Sequence, residues 1–238
     1  MTPILGRIVL LPYTSAPNGW AFCDGRTLYI GESFELFQLL GTNFGGDGAE
    51  TFALPNLKAP NGCHYCISLG GYPPNEFQEM LIGQTMIWAT SKQPNSLVEC
   101  AGQPLPVRQY MMLNQYMGTR FGGDANNFQM PNLRSIAPNN CRYLMATSGN
   151  DPRFLRDAAF VGEIFLLPYE ASPDATGLRL CNGDKLKVKD NTALFSLLGK
   201  RFGGDGQETF GLPNLASAAP SKFNYYISLQ GVFSPPGD

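Results

Sequence analysis

Phe44-Gly45-Gly46-Asp47 returns as Phe121-Gly122-Gly123-Asp124 and again as Phe202-Gly203-Gly204-Asp205. Each copy runs on to Pro-Asn-Leu, within Leu54 to Leu57, Met130 to Leu133 and Leu212 to Leu215. Outward from this turn the match continues. Cys23, Cys100 and Cys181 stand at spacings of 77 and 81, and Gly6, Gly83 and Gly162 at 77 and 79. The extra residues of the third copy fall in Ser172 to Gly177, whose composition reads as loop. The chain is one structural unit written three times, and each residue can be judged against two sister positions.

Every copy spells the same elements. Ile8 to Leu11, Met86 to Trp88 and Ile164 to Leu167 are short apolar runs of strand length, two of them stopped by Pro12 and Pro168, which lack a backbone donor. A second strand, Trp20 to Phe22, leads into a turn at Asp24-Gly25. A helix is expected over Glu32 to Leu40 and over Asp190 to Leu198, with Ser33 and Asn191 as side-chain caps. Leu36, Phe37 and Leu40 share one helical face. Gly41, Gly118 and Gly199 stand where a left-handed residue ends a helix. Tyr110 replaces the cap in the second copy, so that helix is expected to begin differently. Closing strands are expected at Tyr65 to Leu69, Tyr143 to Thr147 and Tyr225 to Leu229. The fold class is α+β: three tandem units, residues 1–75, 76–152 and 153–238, each short β-strands plus one helix. Units of this size have marginal cores alone, so they are expected to pack together as a pseudo-threefold body.

The 238 residues are 43% hydrophobic and 15% charged, a folded composition. Net charge is −2, without a Lys/Arg cluster, which speaks against a nucleic-acid partner. No apolar run is long enough for membrane insertion, and no basic region precedes the first one. A chain made in the cytoplasm without a signal peptide is the expectation.

The candidate chemistry thins out when sister positions are compared. Cys63-His64-Tyr65-Cys66 has the spacing of a zinc or redox pair, but its counterparts are Cys141-Arg142-Tyr143-Leu144 and Phe223-Asn224-Tyr225-Tyr226. Only the tyrosine persists, which points to strand packing, and His64 reads as a solvent-facing strand position. Cys23, Cys100 and Cys181 are expected to be reduced core residues. Trp20 and Trp88 align with leucines and are assigned to the core, while Tyr29 and Phe233 are surface candidates. Asp47, Asp124 and Asp205 admit two readings. One is a turn in which Gly45-Gly46, Gly122-Gly123 and Gly203-Gly204 supply unusual dihedrals and the carboxylate binds nearby backbone. The other is an ion loop, which the lack of alternating oxygen ligands disfavours. No catalytic residue, metal site or cofactor is assigned.

Gly19-Trp20-Ala21-Phe22-Cys23-Asp24-Gly25, Gly45-Gly46-Asp47-Gly48 and Phe52-Ala53-Leu54-Pro55-Asn56-Leu57 together resemble the phage tail collar domain family, which includes bacterial proteins labelled microcystin-dependent. The third copy repeats the likeness in Gly162-Glu163-Ile164 and Leu194 to Gly199; the second is the most diverged. The family's Asp-Leu-Arg-Gly is altered here to Asn56-Leu57-Lys58, Asn132-Leu133-Arg134 and Asn214-Leu215-Ala216. The resemblance implies a non-enzymatic structural part of a tail fibre, virion tail, injection-type particle or extracellular filament. Its partners would be copies of itself or other tail and fibre proteins. The alternative is a receptor- or glycan-binding adhesin at a fibre tip, suggested by Asn139-Asn140 and Asn224-Tyr225-Tyr226.

Overall fold

The structure, a computed structural model, describes residues 4–74, 80–90, 92–151, 159–171 and 177–233. The third copy's insertion, Ser172 to Gly177, lies outside them except for Gly177.

The apolar opening run of each copy forms a fully buried strand: β1 (Ile8–Leu11), β6 (Thr85–Trp88) and β11 (Ile164–Leu167). Each pairs antiparallel with its closing strand, β5 (His64–Ser68), β10 (Arg142–Ala146) or β15 (Asn224–Ser228). The closing strand pairs in turn with β2 (Trp20–Phe22), β7 (Leu97–Glu99) or β12 (Leu178–Leu180). Closing strands therefore begin one residue before the shared tyrosine and end one residue earlier than expected.

Between second and closing strands each unit inserts a two-stranded ribbon and a helix. The ribbons pair β3 (Thr27–Tyr29) with β4 (Thr51–Ala53), β8 (Pro104–Pro106) with β9 (Asn127–Gln129), and β13 (Lys185–Lys187) with β14 (Thr209–Gly211). Their first strands were not legible as such. The helices are α1 (Phe34–Leu40), α2 (Met111–Met117) and α3 (Thr192–Leu198). Leu36 and Leu40 are buried, and Phe37 stacks on Phe52 with centroids 5.6 Å apart.

Both helix ends depart from expectation. Ser33 and Asn191 occupy the N-cap positions, yet neither side chain caps the helix. A 3₁₀ turn, Ile30–Glu32 or Val188–Asp190, feeds the helix instead, and Asn191 turns its amide back to the Lys187 carbonyl. Tyr110 enters α2 with backbone angles close to those of Ser33, but an ordinary turn over residues 107–109 stands where the other copies have the 3₁₀ turn, so the second helix does begin differently. At the far end Gly41, Gly118 and Gly199 have φ of 51–55° but ψ near −143°. That lies outside the left-handed helical well, and the positive φ is one that glycine enters without a Cβ penalty.

The units are not beads. Leu10 of β1 pairs with Ile164 of β11, Leu166 of β11 pairs with Thr85 of β6, and β6 packs beside β1. One continuous core takes Leu10, Leu113, Phe128, Leu194 and Phe210 from all three units.

Candidate functional site

The Gly-Gly-Asp turns share one geometry. Gly45, Gly122 and Gly203 have φ of 121°, 117° and 109°. The second glycine crosses directly over its own ribbon: a Cβ on Gly46 would lie 2.4 Å from the Phe52 Cα, and one on Gly204 2.5 Å from the Phe210 Cα. Asp47 Oδ1 accepts the amides of Ala49, Glu50 and Thr51, while Oδ2 accepts the Thr51 hydroxyl at 2.8 Å. Asp205 repeats this with Gln207, Glu208 and Thr209. These amides hold the Asp47, Asp124 and Asp205 carboxyls below the usual carboxylate range. In unit two the loop is one residue shorter. Asn127 pairs with Pro106 where Thr51 pairs with Tyr29, and Asp124 accepts only the amides of Asn126 and Asn127. Alignment by offset sets Asn127 opposite Glu50; the ribbon register corrects it to Thr51.

Cys23, Cys63, Cys66, Cys100, Cys141 and Cys181 are free buried thiols. Burial pushes the Cys63 and Cys66 thiols up to about 12 and Cys141 up to about 11. His64 is exposed, its ring 4.8 Å from that of Phe22. Among the described residues no group of three or more His, Cys, Asp or Glu side chains could hold a metal. Trp20 and Trp88 are buried, and Trp88 donates to the Lys92 carbonyl. Tyr29 and Phe233 are exposed. Tyr225 and Tyr226, part of the surface loop assumed in the adhesin alternative, are instead buried in β15, because their strand lies in the middle of its unit's sheet.

The strongest constellation lies between units. In the turn after each helix, Asn43, Arg120 and Arg201 are sister positions; before each closing strand, so are Gly62, Asn140 and Lys222. Asn140 Nδ2 donates to the Asn43 carbonyl at 2.7 Å, joining unit two to unit one. Lys222 Nζ donates to the Arg120 carbonyl at 2.7 Å, joining three to two. Arg201 Nη2 donates to the Gly62 carbonyl at 2.6 Å, joining three to one. Gly62, Asn140 and Lys222 all have φ of 60–69°, so the receiving loop keeps its shape even where the residue is not glycine.

A second set of contacts runs the opposite way around. The Tyr13 hydroxyl of unit one donates to the Val161 carbonyl of unit three, and the Tyr169 hydroxyl of unit three donates to the Ile82 carbonyl of unit two. Each ring covers a glycine, Gly162 or Gly83, and the Thr90 methyl of unit two faces the sister glycine, Gly6. On the residue following that glycine the copies differ: Arg7, Gln84 and Glu163, all buried. Arg7 Nη2 donates to Glu163 Oε1 at 2.6 Å across the interface between units one and three. Glu163 Oε2 also accepts the Phe160 amide, while Arg7 Nε has no partner. Tyr65, Tyr143 and Tyr225 line a small space of about 30 Å³, enough for one water, and burial pushes all three hydroxyls up. Sequence reading missed these groups. Arg7, Gln84 and Glu163 carried a signal nonetheless: unlike polar residues directly after a glycine kept in all three copies.

With this geometry in view, the class is clear: three tandem copies of a small α+β unit locked side by side. The chain matches the Phage Tail Collar Domain family over residues 6–60, 83–138 and 162–220, well over half its length, and it belongs to that family. The family is a structural part of phage tails, associated with other tail or fibre proteins. Searches of the curated proteins and of the solved structures gave no match. Among the described residues no helix is long and apolar enough to cross a membrane.

Proposed function

We propose that this chain is a non-enzymatic structural protein of a phage-tail-like or extracellular fibre assembly, built as a pseudo-threefold body that docks on a fibre or on its own copies. One observation carries the reading. Sister residues join unit one to two, two to three and three to one, so three linked collar units occupy the places that three separate subunits would take. Linkage fixes that stoichiometry, since each unit sees its neighbours at high effective concentration. Divergence of the copies then leaves each free to hold a different partner. Gly45, Gly46, Gly122, Gly123, Gly203 and Gly204, with Cys23, Cys100, Cys181 and Trp20, serve the scaffold in this reading. Electron microscopy and solution mass test it. Particles with three lobes, seen stacked or bound to a threefold fibre, are expected; a chain that is monomeric at every concentration and ignores fibres sinks it.

A second reading, receptor or glycan binding, draws support from an open hollow of about 500 Å³ in unit two, lined by Asn95, Ser96, Gln109, Tyr110 and Thr147. Amide and hydroxyl groups beside an aromatic ring suit a sugar. Binding of whole cells or arrayed glycans that survives Tyr110→Ala would remove this hollow from consideration.

A further inference from the structure

The ribbon and helix of unit one, residues 27–53, and those of unit three, residues 185–211, are the same length and the same structure, yet their charges are opposed. Unit one carries four carboxylates there (Glu32, Glu35, Asp47, Glu50) and no cation. Unit three carries five cations against three carboxylates. Asp47 is committed to its own turn, but Glu32, Glu35 and Glu50 are exposed and unpaired among the described residues. The Ile30 amide bonds the Glu50 carbonyl, which sets Glu50 beside Tyr29. Tyr29 and Phe34 are 62% and 55% exposed, so carboxylates and open aromatic rings share this edge. The sister edge in unit three replaces Tyr29 by Lys187 and flanks it with Lys185 and Lys189, all exposed; Lys187 and Lys189 line a hollow with Gln207 and Glu208. Asp190 and Glu208 moderate that edge without reversing its sign. Unit two fits neither role, with Met111 and Met112 exposed at the corresponding place.

We infer that the acidic, aromatic edge of unit one binds the lysine edge of unit three of a second copy of this chain. Ammonium groups are attracted both to carboxylates and to the faces of Tyr29 and Phe34. Such a contact joins unlike surfaces, so it propagates into a ring or a filament. The inference rests on the assembly reading above and names its contact.

Sedimentation velocity on the full chain tests it, with circular dichroism to confirm folding. Wild type should associate with rising concentration, and raising salt from about 0.05 to 0.5 M should weaken this at least about tenfold. K185E/K187E/K189E and E32K/E35K/E50K should each weaken association on the order of a hundredfold, since like charges then meet. An equimolar mixture of the two variants should associate again, because each supplies the edge that the other's altered edge needs. Association untouched by either reversal, or a mixture of folded variants that stays dispersed, overturns the inference. A chain that remains monomeric yet decorates a trimeric fibre also overturns it, and leaves the collar role intact.

Discussion

Arg7→Met is the most informative single perturbation. The substitution keeps a long apolar stem but strips the guanidinium from a Glu163 side chain that is 2% exposed. The carboxylate then keeps only the Phe160 amide. Breaking one side of a buried pair costs about 3–5 kcal/mol, because the remaining charge is neither solvated nor compensated. With a denaturant slope of about 3 kcal/mol per M of urea, the midpoint should fall by roughly 1–1.7 M. The double variant R7M/E163M removes both charges and the unpartnered Arg7 Nε together. It should recover to within about 1 kcal/mol of wild type, or exceed it. Urea unfolding followed by tryptophan fluorescence and circular dichroism measures both, since Trp20 and Trp88 are buried. An R7M protein with an unchanged midpoint, or a double variant no better than the single, refutes the placement of this pair at the interface of units one and three.

Three further outcomes follow from the turns and thiols. Gly204→Ala should destabilise more than Gly199→Ala: both incur strain of about 1–3 kcal/mol, but only the first drives a methyl into the Phe210 backbone. Equal unfolding midpoints would contradict this. Asp47 and Asp205 have carboxyls lowered in the folded state. Their contribution is complete above the unfolded carboxyl range and lost as pH falls through the lowered folded value. D47A/D205A should therefore be less stable than wild type at pH 7, with the gap closing below about pH 3; a gap constant with pH counts against it. With their thiols buried and pushed up, the six cysteines of the folded protein should resist a thiol reagent at pH 8 and react in full after unfolding. Stoichiometric labelling of native protein would contradict that.

Much of the scaffold was legible because repetition supplied sister positions. Ile8 to Leu11 reads as a buried strand from its unbroken apolar run, and Leu36 with Leu40 as a helix face from spacing. The β3-type strands escaped notice because their one shared signal is a single leucine, Leu28, Leu105 or Leu186, between unlike exposed residues, too short an alternation to read; their pairing is set by the Gly-Gly-Asp turn, which folds β4 and β14 back onto them. The caps were misjudged because a 3₁₀ turn, invisible in composition, does the work expected of Ser33 and Asn191. Contacts between units were illegible for a different reason. Asn43 meets Asn140 through a backbone carbonyl, and Tyr13 meets Val161 likewise, so one partner in each case leaves no residue-type signature.

In each unit the chain enters beside the point where it leaves: Ile4 bridges Tyr72, Leu81 bridges Asn150 and Phe160 bridges Val232, all in parallel. Tandem copying of such a module requires hardly any spacer, so lengthening the gene was structurally cheap. Arg201 also reaches back to the Gly62 carbonyl, so the third module grips the first as well as following the second. Because each module carries its own entry and exit pairing, one lobe can diverge without disturbing where its neighbours begin and end.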